Sequence, residues 1–240
     1  MNRSLAITAL LTAATVLTAC SPTADSRRNN AITAGERSVG WILLYDGKST
    51  DNFRGFRKDD FPAQGWDIAA DGSLRVRAGG GGGDIITRDQ YANFEFVCEW
   101  RVTPSANSGI IYRATEDHAY PWETGPEYQI LDDDAHRDGS TPDTRAGSLY
   151  DLFPCERDAV RPAGEWNEAR IVARGNHIQH YLNGALVVDV RLDSPEYREA
   201  HAKSKWTAMP DFGKRSRGHI ALQDHGDEVY FRNIRVRPLQ

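Results

Sequence analysis

The sequence predicts an all-β protein, a jelly-roll sandwich of two stacked antiparallel sheets with one short helix. Three observations carry that expectation. Between residues 40 and 240 about twelve short runs alternate apolar with polar residues, the period of a half-buried strand. Turn dipeptides such as Asp71-Gly72 and Asn183-Gly184 separate several of them, and these residue types accept the positive φ of tight hairpins. The chain also combines 21 Gly with 10% Trp, Tyr and Phe, a mixture suited to short strands joined by tight turns.

In chain order, residues 40–49 form a short apolar strand stopped at Asp46-Gly47, and residues 52–61 continue it with Phe53 and Phe56 as anchors. Residues 66–76 hold two alternating runs divided at Asp71-Gly72, a hairpin signal. The five glycines at 79–83 are followed by neither Lys-Ser nor Lys-Thr, so a flexible loop feeding a strand at 84–87 is expected rather than a phosphate cradle. Long strands are expected at 91–102 and 107–113. A polar, turn-rich loop at 135–146 leads to strand-like alternation at 147–153, and residues 165–173 and 176–190 form a further set that turns at Asn183-Gly184. The helix is expected over 194–204, with Pro195 in its first turn. Two alternating segments, 218–227 and 229–236, close the chain.

Roughly 200 residues after residue 38 suit one domain of the larger all-β kind. A formal net charge of −5 and a pI near 5.8 supply no basic footprint, which argues against a nucleic-acid binder. Residues 1–20 read as an export signal: Arg3 opens it, the apolar run at 5–17 is short for a membrane span, and it ends Leu17-Thr18-Ala19-Cys20. That ending resembles a bacterial lipobox, which would make Cys20 a lipidated first residue anchored in the cell envelope, on the periplasmic face or the outer membrane. Plain secretion is the alternative. Residues 21–38 carry few large apolar side chains and are expected to be a flexible tether, leaving 39–240 as the domain. Cys98 and Cys155 are far apart in sequence, and Cys98 falls inside a strand pattern, so a buried free thiol is expected there.

The segment 125–134 organises the candidate site. As a strand it places Glu127, Gln129 and Leu131 on one side and Tyr128, Ile130 and Asp132 on the other. With Tyr128 and Ile130 buried, Glu127 and Gln129 would stand at fixed separation over a groove. By the same alternation Gly109, Ile111 and Arg113 share a face, the glycine leaving room for a ligand. Gln223 and His225 share a face with His219 and Ala221.

The motifs Tyr45-Asp46-Gly47-Lys48-Ser49, Asn107-Ser108-Gly109-Ile110, Glu127 through Asp132, Asn183-Gly184, Gly218 through Gly226 and Phe231-Arg232-Asn233-Ile234 resemble, in this order, the 3-keto-disaccharide hydrolase domain, a bacterial family. The likeness covers residues 40–240. It implies a concanavalin-like jelly roll with a carbohydrate cleft on its concave sheet and activity on glycosides oxidised at C3. Phe53 stands where many members carry Trp.

The chemistry can also be argued from the substrate. A C3 ketone acidifies the C2 hydrogen, so a base can remove it and the enolate can expel the glycosidic oxygen. Such a site needs a base near C2, an acid near the leaving oxygen, and a cation or donors for the enolate. His225 is the candidate base, or a solvated loop-end histidine bonded to Asp224 or Asp227. Arg113 is the candidate enolate holder, or one half of a surface ion pair. Glu127 is the candidate acid or sugar-orienting group. Gln129, Gln223 and Asn107 are candidates for hydroxyl contacts. Trp122, Tyr120 and Trp206 are candidates for stacking, or core residues, and Tyr150 is counted with the substrate-binding set. A divalent cation is a second way to hold the enolate, with Asp132 and His136 as candidate ligands beside Asp133, Asp134 and Asp138; a solvated acidic loop is the alternative. The expected activity is cleavage of 3-keto-glycosides by hydrolysis or by elimination and hydration, with a carbohydrate-binding module as the rival reading.

Overall fold

The computed structural model describes residues 29–240; the expected signal, Cys20 and most of the tether lie outside the described residues. The strands run β1 (Ile42–Leu43), β2 (Phe53–Gly55), β3 (Trp66–Ile68), β4 (Leu74–Val76), β5 (Ile85–Thr87), β6 (Phe94–Val102), β7 (Asn107–Ala114), β8 (Glu127–Leu131), β9 (Asn167–Arg174), β10 (His177–Leu182), β11 (Ala185–Arg191), β12 (His219–Leu222) and β13 (Val229–Pro238). They make two antiparallel sheets, one ordered β11-β10-β9-β6-β13-β4-β3 with β1 also on β13, the other ordered β2-β5-β12-β7-β8. This is the expected jelly-roll sandwich. Its core lies between the sheets, where Phe94, Phe96, Cys98 and Trp100 from β6 meet Ile110, Tyr112, Tyr128 and Ile130 from β7 and β8. Alternation turns the other face of the second sheet outward, and there Ile86, Ile111, Ala114 and Ala221 form a small separate apolar floor.

Several local expectations hold. Asn183 and Gly184 adopt φ of 50° and 82° between β10 and β11, the left-handed pair of a type I′ hairpin. The helix Pro195–Lys203 starts where Ser194 caps it, the Ser194 side chain accepting from the Tyr197 amide. Cys98 and Cys155 are both buried and free.

Other expectations are corrected. Residues 147–153 form no strand: Leu149 makes isolated bridges to Tyr128 and Phe153, while Gly147 and Asp151 at φ of 85° and 60° turn the chain. The tether does not extend to residue 38. Asn30 is buried and exchanges hydrogen bonds with Asn233, its amide donating to Asn233 Oδ1 at 2.6 Å and its own Oδ1 accepting from the Asn233 amide at 2.8 Å. A five-residue helix (Ala34–Ser38) follows, closed by a capping box between Thr33 and Glu36. These contacts run through polar groups, which is why the scarcity of apolar residues concealed them.

The glycine loop is a packing device. A Cβ on Gly82 would lie 2.5 Å from the Gln64 carbonyl oxygen, and one on Gly80 2.5 Å from the Gly65 Cα, so only glycine permits this backbone crossing. The loop then ends with the Gly83 amide donating to Asp224 at 2.9 Å, which fixes the chain beside His225.

Candidate active site

Register assembles the site on the outer face of the second sheet. Leu222 pairs with Ile85 on one side and Ile110 on the other, so the next rung brings Asp84, Gln223 and Gly109 abreast, with Gln129 opposite Gly109 on β8. Gly109 leaves its place on that rung open, and Glu127 fills it: a Cβ on Gly109 would meet Glu127 Oε1 at 2.1 Å. The room expected for a ligand above Gly109 thus holds the carboxyl itself. Glu127 is 6% exposed and its carboxyl makes no hydrogen bond among the described residues. Burial pushes it up to about 8, with Lys205 pulling down and Asp84 adding to the rise.

Above this floor opens a cleft whose first lobe encloses about 480 Å³. Glu127, Gln129, Asn107, Gln223 and His225 line it together with Trp122, Tyr150, Trp206 and Lys205. The buried Asn107 Oδ1 and Gln223 Oε1 have no hydrogen-bond partner among the described residues. Unpaired polar atoms in a buried wall are costly, and a hydroxylated ligand would satisfy them. Gln129 is less free, since its amide donates to Thr144 O at 3.2 Å and its Oε1 accepts from the Ile130 amide at 3.2 Å. Opposite stands Lys205, its ammonium 4.3 Å from the Tyr150 ring centroid and 4.6 Å from that of Trp206, with no ion pair among the described residues. Trp206 is buried and anchored, stacked on Phe212 at 4.3 Å and donating from Nε1 to Tyr150 O.

His225 is exposed in the cleft mouth. The acids flanking it are spent on backbone amides, Asp224 on Gly83 and Gly226 and Asp227 on Asn107, so neither ties down the imidazole. A second lobe of about 290 Å³ lies beyond, lined by Phe56, Lys58, Asp84 and Tyr120. Trp122, Gln223 and His225 line both lobes. Tyr120 is 54% exposed and stacks on Trp122 with centroids 5.0 Å apart at 10°.

Arg113 is a correction. β7 and β12 slip by one residue, His219 pairing with Ala114 and Ile220 with Tyr112. Arg113 is therefore the extra residue of a β-bulge, at φ of 56°. Its guanidinium is buried away from the cleft, donating to the carbonyls of Ala92 and Gly175 at 2.8 Å each. The metal site is a second correction. Asp132 accepts from the Ser105 and Asp134 amides, and His136 Nδ1 accepts from the Asp138 amide. The loop backbone holds both side chains in place, and no group of three His, Cys, Asp or Glu able to hold a cation occurs among the described residues. Sequence reasoning missed Lys205 and Asp84. Lys205 sits in a polar turn without strand periodicity, while Asp84 was legible in principle as the residue sharing a face with Ile86.

Residues 40–237 match the family model described as the 3-keto-alpha-glucoside-1,2-lyase-like domain. The chain is 34% identical over 230 residues to a 3-keto-disaccharide hydrolase of Bacteroides thetaiotaomicron, covering 83% of this chain and 79% of that one. Among solved structures, a candidate glycosyl hydrolase from Parabacteroides distasonis superposes with a TM-score of 0.82 at 31% identity, over 89% of this chain and 100% of the other. A second from the same organism reaches 0.62 at 26% identity, over 83% and 99%.

Proposed function

The chain belongs to the 3-keto-alpha-glucoside-1,2-lyase-like domain family, and from that premise and the cleft we propose that it cleaves 3-keto-glycosides by elimination across C1 and C2 followed by hydration. The observation that carries this reading is Glu127, a buried carboxyl that shares one cleft with the Lys205 ammonium and an exposed histidine and has no hydrogen-bond partner among the described residues. A carboxyl held up to about 8 is mostly protonated at neutral pH, so Glu127 can donate to the C3 oxygen as the enolate forms. Lys205 supplies the cation that sequence reasoning sought in Arg113. His225, free of its acidic neighbours, takes the C2 proton. Asn107 and Gln223 offer their unpaired amide groups to ring hydroxyls, and Trp122, Tyr150 and Trp206 wall the ring.

The naming of the Bacteroides relative as a 3-keto-disaccharide hydrolase supports the substrate class. Incubating the protein with 3-keto-disaccharides should release both sugars at a rate that a chelator leaves unchanged. Binding without release would favour a carbohydrate-binding module instead. We further propose a cell-envelope location through a lipid on Cys20, supported by the Leu17-Thr18-Ala19-Cys20 ending. Fatty-acid labelling of the intact protein that survives Cys20→Ala would refute it.

A further inference from the structure

Elimination also needs a proton for the glycosidic oxygen as it leaves C1, and Glu127 lines only the first lobe. Resting on the reading above, we propose that the second lobe receives the leaving sugar and that Asp84 is the acid that protonates the departing oxygen. The two lobes meet at Trp122, Gln223 and His225. A disaccharide with its keto ring beside Glu127 and Lys205 therefore carries its bridging oxygen across that wall. Asp84 stands on the far side of it, on the rung next to Gln223. Its Oδ1 accepts the Asp224 amide at 2.9 Å, one residue from His225, while its Oδ2 makes no hydrogen bond among the described residues. The lobe has the furniture of a sugar subsite: the exposed Tyr120 face stacked on Trp122, and the Lys58 ammonium, which donates to Gly82 O at 3.2 Å. Burial pushes the Asp84 carboxyl up to about 7, so at neutral pH it can both give and take a proton.

The step balances without a further reactant. His225 takes the proton from C2, the C2 electron pair forms the C1=C2 bond, the C1–O bond breaks, and its electron pair accepts the Asp84 proton. Hydration reverses the transfers. Water adds to C1 as Asp84 carboxylate takes its proton, His225 returns a proton to C2, and both residues are restored.

Leaving-group acidity tests this assignment. Asp84→Asn keeps an oxygen for the Asp224 amide, so the variant should fold with a Tm at or above that of the original protein. Its kcat/KM on a 3-keto-disaccharide should fall by about 10²–10³, and on 4-nitrophenyl 3-keto-glucoside by less than about tenfold, because a nitrophenolate departs without a proton. Equal losses on the two substrates, or none, would overturn the assignment while leaving the reading of the first lobe intact. An original protein that turns over neither substrate would overturn that reading and this inference with it. Tyr120→Ala, on an exposed ring, should raise KM for the disaccharide several-fold more than for methyl 3-keto-glucoside; matching changes would remove the leaving sugar from the second lobe.

Discussion

Glu127 is the residue whose environment says most. Its carboxyl titrates near 4.5 in the unfolded chain and near 8 in the folded protein. A raised carboxyl favours the folded state fully below the unfolded value, and the benefit is lost as pH rises through the folded one. At about 1.36 kcal/mol per unit, the loss between pH 4.5 and 8 is on the order of 4 kcal/mol. Glu127→Gln should therefore melt above the original protein at pH 8.5 and near it at pH 5, as thermal scans at the two pH values would show. A constant difference would mean that the carboxyl is not held protonated. Glu127 and Gln129 were legible as cleft-lining residues because each has a strand address whose parity can be read, and Gln223 and His225 because the alternation can be counted on past the end of β12. Arg113 misled because alternation counts straight through a bulge that sequence does not announce. Lys205 stayed hidden because nothing in its own turn says which face of which sheet it overhangs.

Among the elements, the crossing of β7 with β8 decides whether the site exists. Gly109 has an ordinary φ, so alanine there costs nothing in backbone strain, but its Cβ would lie 2.1 Å from Glu127 Oε1 and 2.8 Å from Cδ. Gly109→Ala should displace the carboxyl, costing about 1–3 kcal/mol in overpacking and most of the turnover. A variant retaining wild-type kcat would show that the placement of Glu127 over Gly109 is dispensable. The glycine loop and the β12 extension serve the same end, since Gly83 holds Asp224 and Asp224 in turn binds Asp84. Strand existence and the Asn183-Gly184 hairpin were legible from local pattern. The docking of Asn30 on Asn233 was not, because the partners lie about two hundred residues apart and their bonds follow no periodicity.

For the molecule as a whole, the sandwich keeps its two faces for different work. The inner face of the second sheet joins one large apolar core, and the outer face carries the cleft on a small floor of Ile86, Ile111, Ala114 and Ala221. The core carries an acid-sensitive group: burial pushes His180 down to about 4, where it bonds the Tyr112 hydroxyl and the Gly147 carbonyl at 3.1 Å each. A depressed histidine loses its stabilising effect as pH falls from 6.5 toward 4. Glu127 and Asp84, raised to about 8 and about 7, lose theirs as pH rises from about 4.5, so the two carboxyls outweigh the single histidine and stability should decline from about pH 5 toward pH 8 in thermal scans.

Removal of the C2 proton in this cleft is the step on which the proposed function stands. Cleavage of a 3-keto-disaccharide in heavy water, read by mass and NMR at C2, addresses it directly. One deuterium is expected at C2 of the released 3-keto sugar, and loss of both release and label in His225→Ala. Release of a 3-keto sugar that retains only protium at C2 would contradict it.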